Sequence, residues 1–580
     1  AASACHGAEI GYTIWELTDN VGITSGSHRI TLGTHDELID LIDEGRVSAQ
    51  GQWVFAGLQA LEQGAPNAYA RDLAGPEDGL AAFHVTQLGV YLQDQWGVTP
   101  RLTLTGGIRL EVPFVPTPPG KNPTALETLG INTSLTPSGH PLWSPRLGVS
   151  WDASGRGTTV LRGGAGLFAG RPAFQWFRNV YRTNGALGHR FFCLEDQVPA
   201  FTLDPASQPS ACKTQTPSLA SLPFNYFDPE FRFPQNLKVA LGADHLLPGG
   251  LVGTVDLLYT EGVHTFHVAD VNLVGPGASA EGEGGRLLYG TIDPETGMSD
   301  PSRRTRTVGS AFEIRNGSGD RSWSLTAQVQ RQRPDGTEWS AAYTYTDARD
   351  RMSPDADLAI TNASSTPVDG SLEQRAVRTS LWETAHKITL LATTNLPLGL
   401  RLGVVYQGIS GSPFTYVLNG DPNADGFSLE EGVSNDVVYV PKDALDITLE
   451  DSSDFSVLDS LIRSETCLRQ QRGRLLKRNS CHNPGVHDLQ LRLARRFALA
   501  AGRELEITAD LFNVLNLVDS EWGSSEQLVY GGEGHVVPLL QLVGYDEAHG
   551  RGRYRLLPVF RQIDAGARWR LQLGGALSFH

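Results

Sequence analysis

The last twenty residues of the chain alternate between two kinds of side chain. From Ile563 to Phe579 every odd position is apolar or glycine, and from Gln562 to Ser578 every even position is polar or small. Side chains of a β-strand point alternately to opposite faces, so this period of two predicts a strand with one apolar face. Chain ends usually fray, whereas this pattern persists almost to the last residue. The apolar positions that we assign to this terminal strand are Trp569, Leu571, Leu573, Leu577 and Phe579.

The same alternation recurs in pairs of segments that are joined by turn sequences. Residues 322–330 alternate, the tight-turn sequence RPDGT follows, and residues 338–347 alternate again. Such pairs predict antiparallel β-hairpins. Further predicted hairpins join 84–96 to 101–113, 145–153 to 158–168, 236–245 to 251–260, 386–396 to 400–409 and 487–499 to 504–515. Additional strands are predicted near 8–22, 27–36, 52–58 and 67–74.

Short and long connections alternate along these predicted strands. Turns of about two to five residues alternate with long segments, a difference typical of outer-membrane barrels with short periplasmic turns and long external loops. Strands of about 9–11 tilted residues cross a bilayer, and a closed barrel satisfies every backbone hydrogen bond in lipid. We therefore predict an all-β, antiparallel up-and-down transmembrane β-barrel with long extracellular loops. The long connections are 114–144, 169–235, 261–321, 347–385, 410–486 and 519–560.

The composition of the chain argues against several other classes of protein. The chain has no apolar run of about 18 residues, which excludes helical membrane spans. Its 64 glycines and 33 prolines favour turns and loops over long helices. A net charge of -17 argues against nucleic-acid binding, which needs a basic face. A soluble all-β protein such as a propeller remains an alternative, but its expected repeat of about 40–50 residues is not visible.

The five cysteines form two local pairs and one singleton. Cys193 and Cys212 close one short loop, and Cys467 and Cys481 close another. This arrangement predicts the disulfides Cys193–Cys212 and Cys467–Cys481 in an oxidising compartment. Free thiols are the alternative, and metal binding is less favoured because no CxxC motif occurs. Cys5 has no nearby partner.

Several segments resemble TonB-dependent outer-membrane receptors, and more narrowly the Oar-like subgroup, which carries an N-terminal carboxypeptidase-regulatory-like domain. The resemblance lies in the order and spacing of motifs along nearly the whole chain. The segments that carry it are LGVYLQDQWGVTPRLTLTGGIRLEVP (88–113), SPRLGVSWD (144–152), FPQNLKVALG (233–242), VDLLYTEGVHTFHVADVN (255–272), AAYTYTDARD (341–350), QRGRLLKRNSC (471–481), HDLQLRLARRF (487–497) and ADLFNVLNLVD (509–519).

The resemblance implies a receptor or transporter in the outer membrane of a Gram-negative-type bacterium. Its external loops would bind a ligand, and a TonB complex would act through an N-terminal part. No plug or regulatory-like domain is visible, so we expect residues 1–580 to be the C-terminal portion of a barrel, with about 16–18 strands of a total of about 22. The terminal strand would be read by the barrel-assembly machinery. A passive or structural barrel, that is a porin, adhesin or surface scaffold, is the alternative.

One loop has the spacing of a calcium-binding sequence. DPNADG places Asp421, Asn423 and Asp425 at the first three ligand positions of an EF-hand-like loop, with Gly426 at the turn. The twelfth position, which needs a bidentate glutamate, is Gly432. A calcium site and a plain Asx-rich turn therefore both remain open, and the turn is favoured. No other cofactor is indicated.

Other features bear on partners and chemistry. No Ser/His/Asp set, nucleophile elbow or carboxylate pair stands out, so we predict that the chain is not an enzyme. A soluble secreted β enzyme is the third alternative. Residues 454–466 predict a short amphipathic helix whose apolar side packs on its own loop. The basic run 472–478 could contact lipopolysaccharide, although a solvated run is favoured.

Overall fold

A computed structural model describes residues 10–43, 51–73, 81–184, 189–214, 223–356, 358–427, 433–499, 502–524, 526–528, 535–559, 561–563 and 568–579. Its main feature is an 18-stranded sheet. Fifteen long strands within these ranges form an antiparallel meander that we call the wall. In chain order they are β1 (Ile10–Ser25), β2 (His28–Asp43), β3 (Ala81–Thr99), β4 (Leu102–Phe114), β5 (Leu142–Asp152), β6 (Thr159–Ala169), β7 (Gln235–Leu247), β8 (Leu251–Asp270), β9 (Arg321–Gln332), β10 (Glu338–Asp350), β11 (His386–Leu396), β12 (Leu400–Ile409), β13 (Val486–Ala498), β14 (Arg503–Phe512) and β15 (Arg570–Phe579).

Each wall strand pairs antiparallel with the next one in the chain, from β1 with β2 to β14 with β15. The strands are 10–20 residues long, enough to cross a bilayer and in several cases to extend beyond it. This confirms the predicted up-and-down transmembrane barrel. Three short strands complete the 18-stranded sheet: Phe224–Phe227, Ala311–Gly317 and Arg378–Thr379.

Short turns and long loops alternate strictly around the wall. The 248–250 turn is typical of the short end, since Gly249 and Gly250 have φ angles of 78° and 75° that other residues rarely adopt. The predicted segments 52–58 and 67–74 are strands, but they lie in a long loop. Gln52–Val54 and Ala68–Leu73 form a three-stranded sheet with His189–Leu194. At 3 and 6 residues, the first two are too short to cross a membrane.

The two faces of the wall differ as the alternation predicts. On β15, Leu571 and Leu573 are 56% and 74% exposed on the face that meets lipid. The opposite face meets the lumen and carries ion pairs, such as Arg496 with Glu506 at 2.6 Å between β13 and β14. Exposed aromatic side chains lie near the strand ends, where they meet the membrane interfaces. They are Trp96, Trp143, Trp151, Trp323 and Trp339.

The long loops fold into a cap at the extracellular end. Its α-helices are α1 (Leu58–Glu62), α2 (Pro123–Leu129), α3 (Phe174–Arg182), α4 (Ala359–Ser365), α5 (Phe455–Ser464), α6 (Thr466–Arg469) and α7 (Val514–Val518). Within the described part of the chain, no helix combines the length and apolar character of a membrane span. Small two-stranded sheets pair Ala278–Ala280 with Arg286–Leu288, Gly290–Ile292 with Ser299–Pro301, Tyr439–Val440 with Arg474–Leu475, and Glu526–Leu528 with Arg561–Ile563.

Candidate functional site

The centre of the cap is a mixed sheet that joins two long loops. Pro413–Asn419, from the loop between β12 and β13, pairs parallel with Val536–Asp546, from the loop between β14 and β15. Parallel pairing requires a distant connection, and here the whole β13–β14 hairpin lies between the partners in the chain. Four further strands extend this cap sheet: Val433–Val437, Thr448–Leu449, Cys481–His482 and Arg551–Leu556.

An apolar core supports the cap sheet. Phe414, Tyr416 and Leu418 of the sheet are buried in one cluster with Leu458 and Ile462 of α5. The amphipathic helix predicted at 454–466 therefore packs its apolar side on its own loop. Burial of these apolar side chains gives the loop a hydrophobic core of its own. This core stabilises the loop, so that it can present a defined surface to the outside.

A second apolar cluster lies on the lumen face of the wall at its extracellular end. Ile39 of β2 and Phe83 of β3 are buried against Phe177 and Tyr181 of α3. The rings of Phe83 and Tyr181 stack with centroids 4.5 Å apart. We call this group the mouth cluster, and its buried members are Ile39, Leu41, Phe83, Val85, Val115, Leu142, Phe174, Phe177, Val180, Tyr181, Phe227, Phe231, Phe233, Phe266, Val268, Phe312, Ile314, Met352, Ala359, Ala363 and Phe427.

A buried ionic network connects three loops. The Arg286 guanidinium donates from Nε to Glu283 Oε2 at 2.7 Å and from Nη1 to Asp436 Oδ1 at 3.0 Å. The Tyr554 hydroxyl donates to Glu283 Oε1 at 2.6 Å. Burial alone would lower the pKa of Arg286, but the two carboxylates raise it above its ordinary value. The cation therefore stays charged and holds the β8–β9, β12–β13 and β14–β15 loops together.

The loop 421–427 lies beside this network and is buried. Asp421 Oδ1 and Asn423 Oδ1 both accept a hydrogen bond from the Asp425 amide nitrogen, at 3.0 and 2.9 Å. Burial raises the pKa of Asp421. Burial and repulsion from Asp421 together raise the pKa of Asp425 to about 7. The structure thus brings the three predicted residues together, while Gly432 lies outside the described residues.

The basic run 472–478 is partly internal. Arg478 Nη2 lies 2.7 Å from Asp350 Oδ1 and is almost fully buried. Arg472 Nη2 lies 2.5 Å from Asp459 Oδ1 of α5. These two arginines neutralise Asp350 at the end of β10 and Asp459 of α5. The run therefore offers fewer free positive charges to an anionic surface than its sequence indicates.

Two disulfides cross-link the cap. The Sγ atoms of Cys193 and Cys212 are 2.05 Å apart, and those of Cys467 and Cys481 are 1.95 Å apart. The second bridge joins α6 to the cap sheet. Cys5 lies outside the described residues.

Thiol labelling is expected to reach only Cys5 in the unreduced, denatured protein. Reduction should expose four further thiols, because the two bridges hold them, and should change the mobility of the band on a non-reducing gel. Mass spectrometry after labelling counts the modified cysteines. Labelling of all five before reduction would contradict both bridges, and the Cys467→Ser/Cys481→Ser double variant provides the control with one bridge left.

A family model for the outer membrane beta barrel domain matches residues 4–521. The chain belongs to the outer-membrane β-barrel family. This assignment accounts for the lipid-facing apolar positions of the wall and places the protein in the outer membrane. The search among curated proteins found no match.

Several solved structures are similar to this chain at low sequence identity. The outer membrane transporter YddB from Escherichia coli is 12% identical, with a TM-score of 0.49 over 98% of this chain and 54% of that chain. A ferric enterobactin receptor (PfeA) mutant from Pseudomonas aeruginosa is 11% identical, with a TM-score of 0.45 over 98% and 54%. The siderophore receptor PirA from Acinetobacter baumannii is 9% identical, with a TM-score of 0.43 over 88% and 51%. The chain spans about half the length of these structures.

Sequence patterns alone missed the mouth cluster and the ionic network. Phe174, Phe177 and Tyr181 are spaced by three and four residues, which indicates one face of a helix, and this signal could have revealed α3. Glu283, Arg286, Asp436 and Tyr554 come from three loops. They form no local pattern that a single sequence could show.

Proposed function

We propose that this barrel is an outer-membrane receptor and transporter that binds its ligand at the extracellular cap. In the intact protein, passage would depend on energy from a TonB complex that acts through an N-terminal part. The observation that carries the proposal is the mouth cluster, because a loop helix and lumen-facing side chains of the wall pack into one apolar cluster at the extracellular end, where an open pore would be lined by polar groups. The proposal gives the chain no catalytic role.

The interior below the cap favours transport over a purely structural role. Ion pairs line the lumen face, for example Arg162 with Asp244 at 2.9 Å and Arg492 with Asp510 at 3.6 Å. Charged side chains of this kind stay hydrated and offer a polar path for a solute. A passive porin would have the same lining but an open mouth. The apolar mouth cluster and the polar lumen face together support gated passage.

The cap also has the rigidity that a binding surface needs. The parallel pairing of two loops, the network around Arg286 and the disulfides hold the external segments in one arrangement. A pre-ordered surface loses less conformational entropy when it binds a ligand. Loops that only shield an inert scaffold would not need buried ionic contacts between three connections.

Solute uptake in the native host tests the proposed function. Strains that lack either this gene or tonB should leave the same compounds in the growth medium that the wild type removes. Mass spectrometry of spent medium identifies these compounds, and the purified barrel in vesicles should then bind them. Uptake that is lost without this gene but is unaffected by tonB deletion would favour the passive barrel and contradict the proposal.

A further inference from the structure

The buried loop 421–427 brings several side-chain oxygen atoms close together. Asp421 Oδ1 and Asn423 Oδ1 lie within hydrogen-bond distance of the same Asp425 nitrogen, so they are on the same side of the loop. Asp421 Oδ2 accepts from the Gly426 amide at 2.8 Å and from the Ser299 hydroxyl at 2.6 Å. The Asp425 carboxylate is fully buried beside them. All of these side-chain ligand candidates are oxygens, which hard cations prefer.

A fourth side chain points to a ligand at this place. Asn435 is fully buried, and its Nδ2 lies 2.9 Å from Asp425 Oδ2. Its Oδ1 atom has no hydrogen-bond partner among the described residues. A buried acceptor without a partner costs about 1–3 kcal/mol. Turning the amide by half a rotation would place Oδ1 beside the Asp425 carboxylate, where a cation between the two oxygens would bind both.

The buried charges around the loop 421–427 do not balance: negative groups outnumber positive ones. Four buried carboxylates, Glu283, Asp421, Asp425 and Asp436, face two buried guanidinium groups, Arg286 and Arg375. The nearby Arg303 is already paired with Asp270 at 3.0 Å. When all four carboxylates are ionised, two negative charges are left without a buried counter-charge, which is costly in a medium of low polarity. One divalent cation would neutralise them.

We propose that Asp421, Asn423, Asp425 and Asn435 bind one Ca²⁺ ion inside the cap. A plain Asx-rich turn explains the hydrogen bonds of the loop, but not the unpartnered Asn435 oxygen or the charge deficit. Calcium accepts six to eight oxygen ligands in flexible geometry, whereas Mg²⁺ usually retains several waters. A buried, all-oxygen site therefore favours calcium.

Another acidic group is a weaker candidate for a cation. Glu16, His35 and Glu37 converge on the lumen face of β1 and β2. Arg171 already donates from Nε to Glu37 Oε2 at 2.8 Å, so a guanidinium supplies the positive charge there. The loop 421–427 has no such direct ion pair among the described residues, and this difference separates the two groups.

The bound ion would connect two loops of the cap. The Tyr289 amide donates to the Asn423 carbonyl at 2.7 Å, and Ser299 contacts Asp421, so residues of the β8–β9 loop already enclose the site. Asn435 lies in the cap-sheet strand that follows the loop. Calcium would fix these segments to each other, and its removal would loosen the cap without affecting the wall.

Calcium titration of the full chain, purified in detergent and freed of metal, tests the site. Isothermal calorimetry is expected to show one Ca²⁺ per chain. Asp425→Asn should weaken binding at least about 100-fold because it removes a charged ligand. Asp293→Asn is the matched control, since Asp293 forms a similar but exposed Asx turn in the same cap and accepts from the amides of Glu295 and Thr296. It should bind calcium as the wild type does.

Limited proteolysis provides a readout that does not depend on any variant. Adding a chelator to the wild type should increase cleavage in the cap loops, and adding calcium back should reverse it. If Asp425→Asn does not fold, as judged by heat-dependent mobility on gels, the wild-type titration and proteolysis decide alone. Absence of saturable binding, equal affinity for Mg²⁺, or full calcium binding by a folded Asp425→Asn variant would overturn the proposal.

Discussion

Replacing Arg286 by alanine is expected to destabilise the extracellular cap by about 3–5 kcal/mol. The substitution removes the cation between Glu283 and Asp436 and leaves both carboxylates buried without their partner. It also removes the donor to the Val437 carbonyl at 2.8 Å. Hydrogen exchange of the purified protein in detergent measures this loss, because amides of the cap should exchange faster while those of the wall remain protected.

Arg306→Ala serves as the control for Arg286→Ala. Arg306 and Asp300 form an ion pair of 2.7 Å in the same loop, but their side chains are 75% and 60% exposed. Exposed pairs of this kind contribute about 0–1 kcal/mol. Similar exchange rates in both variants would show that the network around Arg286 does not hold the loops. A triple replacement, Glu283→Gln, Arg286→Met and Asp436→Asn, should recover part of the protection because it leaves no unpaired charge.

The wall could be predicted from the sequence because its signal is local. Residues 322–330 and 338–347 alternate with a period of two, and they form β9 and β10 joined by the expected turn. Each strand of a barrel repeats this pattern in at least ten residues. The segments near 52–58 and 67–74 show what the alternation does not predict, since they form strands outside the wall. Their strands are short, and the sequence carries no information on which sheet they enter.

The candidate site was predictable only where its residues are neighbours in the chain. Asp421, Asn423 and Asp425 share one loop, so their spacing indicated a common set of oxygens. Asn435 is ten residues away from Asp425, and Arg286 and Asp436 are 150 residues apart. Such contacts depend on how the loops fold over each other. A charged residue in a loop is solvated in most proteins, and no sequence pattern around Arg286 indicates that it is buried.

The cysteine pairs are intermediate between the wall strands, whose pattern is local in the sequence, and the contacts between distant loops. Separations of 19 and 14 residues make each pairing a local event, so proximity in the sequence suggested the same partners that the structure joins. The basic run 472–478 suggested exposed positive charge because the partner of Arg478 is distant in the sequence. Arg478 bonds to Asp350 across 128 residues, and only the folded loop shows that its charge is already compensated.

Leu573→Arg is expected to lower the stability of the membrane-inserted barrel by about 2–4 kcal/mol if the side chain lies near the middle of the bilayer, and less toward either interface. Leu573 is in the middle of β15, pairs with Ala509 of β14, and is 74% exposed on the lipid face. An arginine there must either lose its hydration or bend toward an interface. Urea titration of the protein refolded into lipid vesicles, followed by heat-dependent gel mobility, measures the change.

Gln572→Arg places the same charge one residue earlier and on the other face of β15. Gln572 pairs with Asp510, which already lies 3.6 Å from Arg492 on the lumen side. A new arginine there stays hydrated and meets a carboxylate, so this variant should insert nearly as well as the wild type. Because the two positions share strand, depth and introduced side chain, they differ only in the face. Equal loss of insertion in both variants would contradict the assignment of odd positions to lipid, and with it the two-residue period that first indicated a barrel.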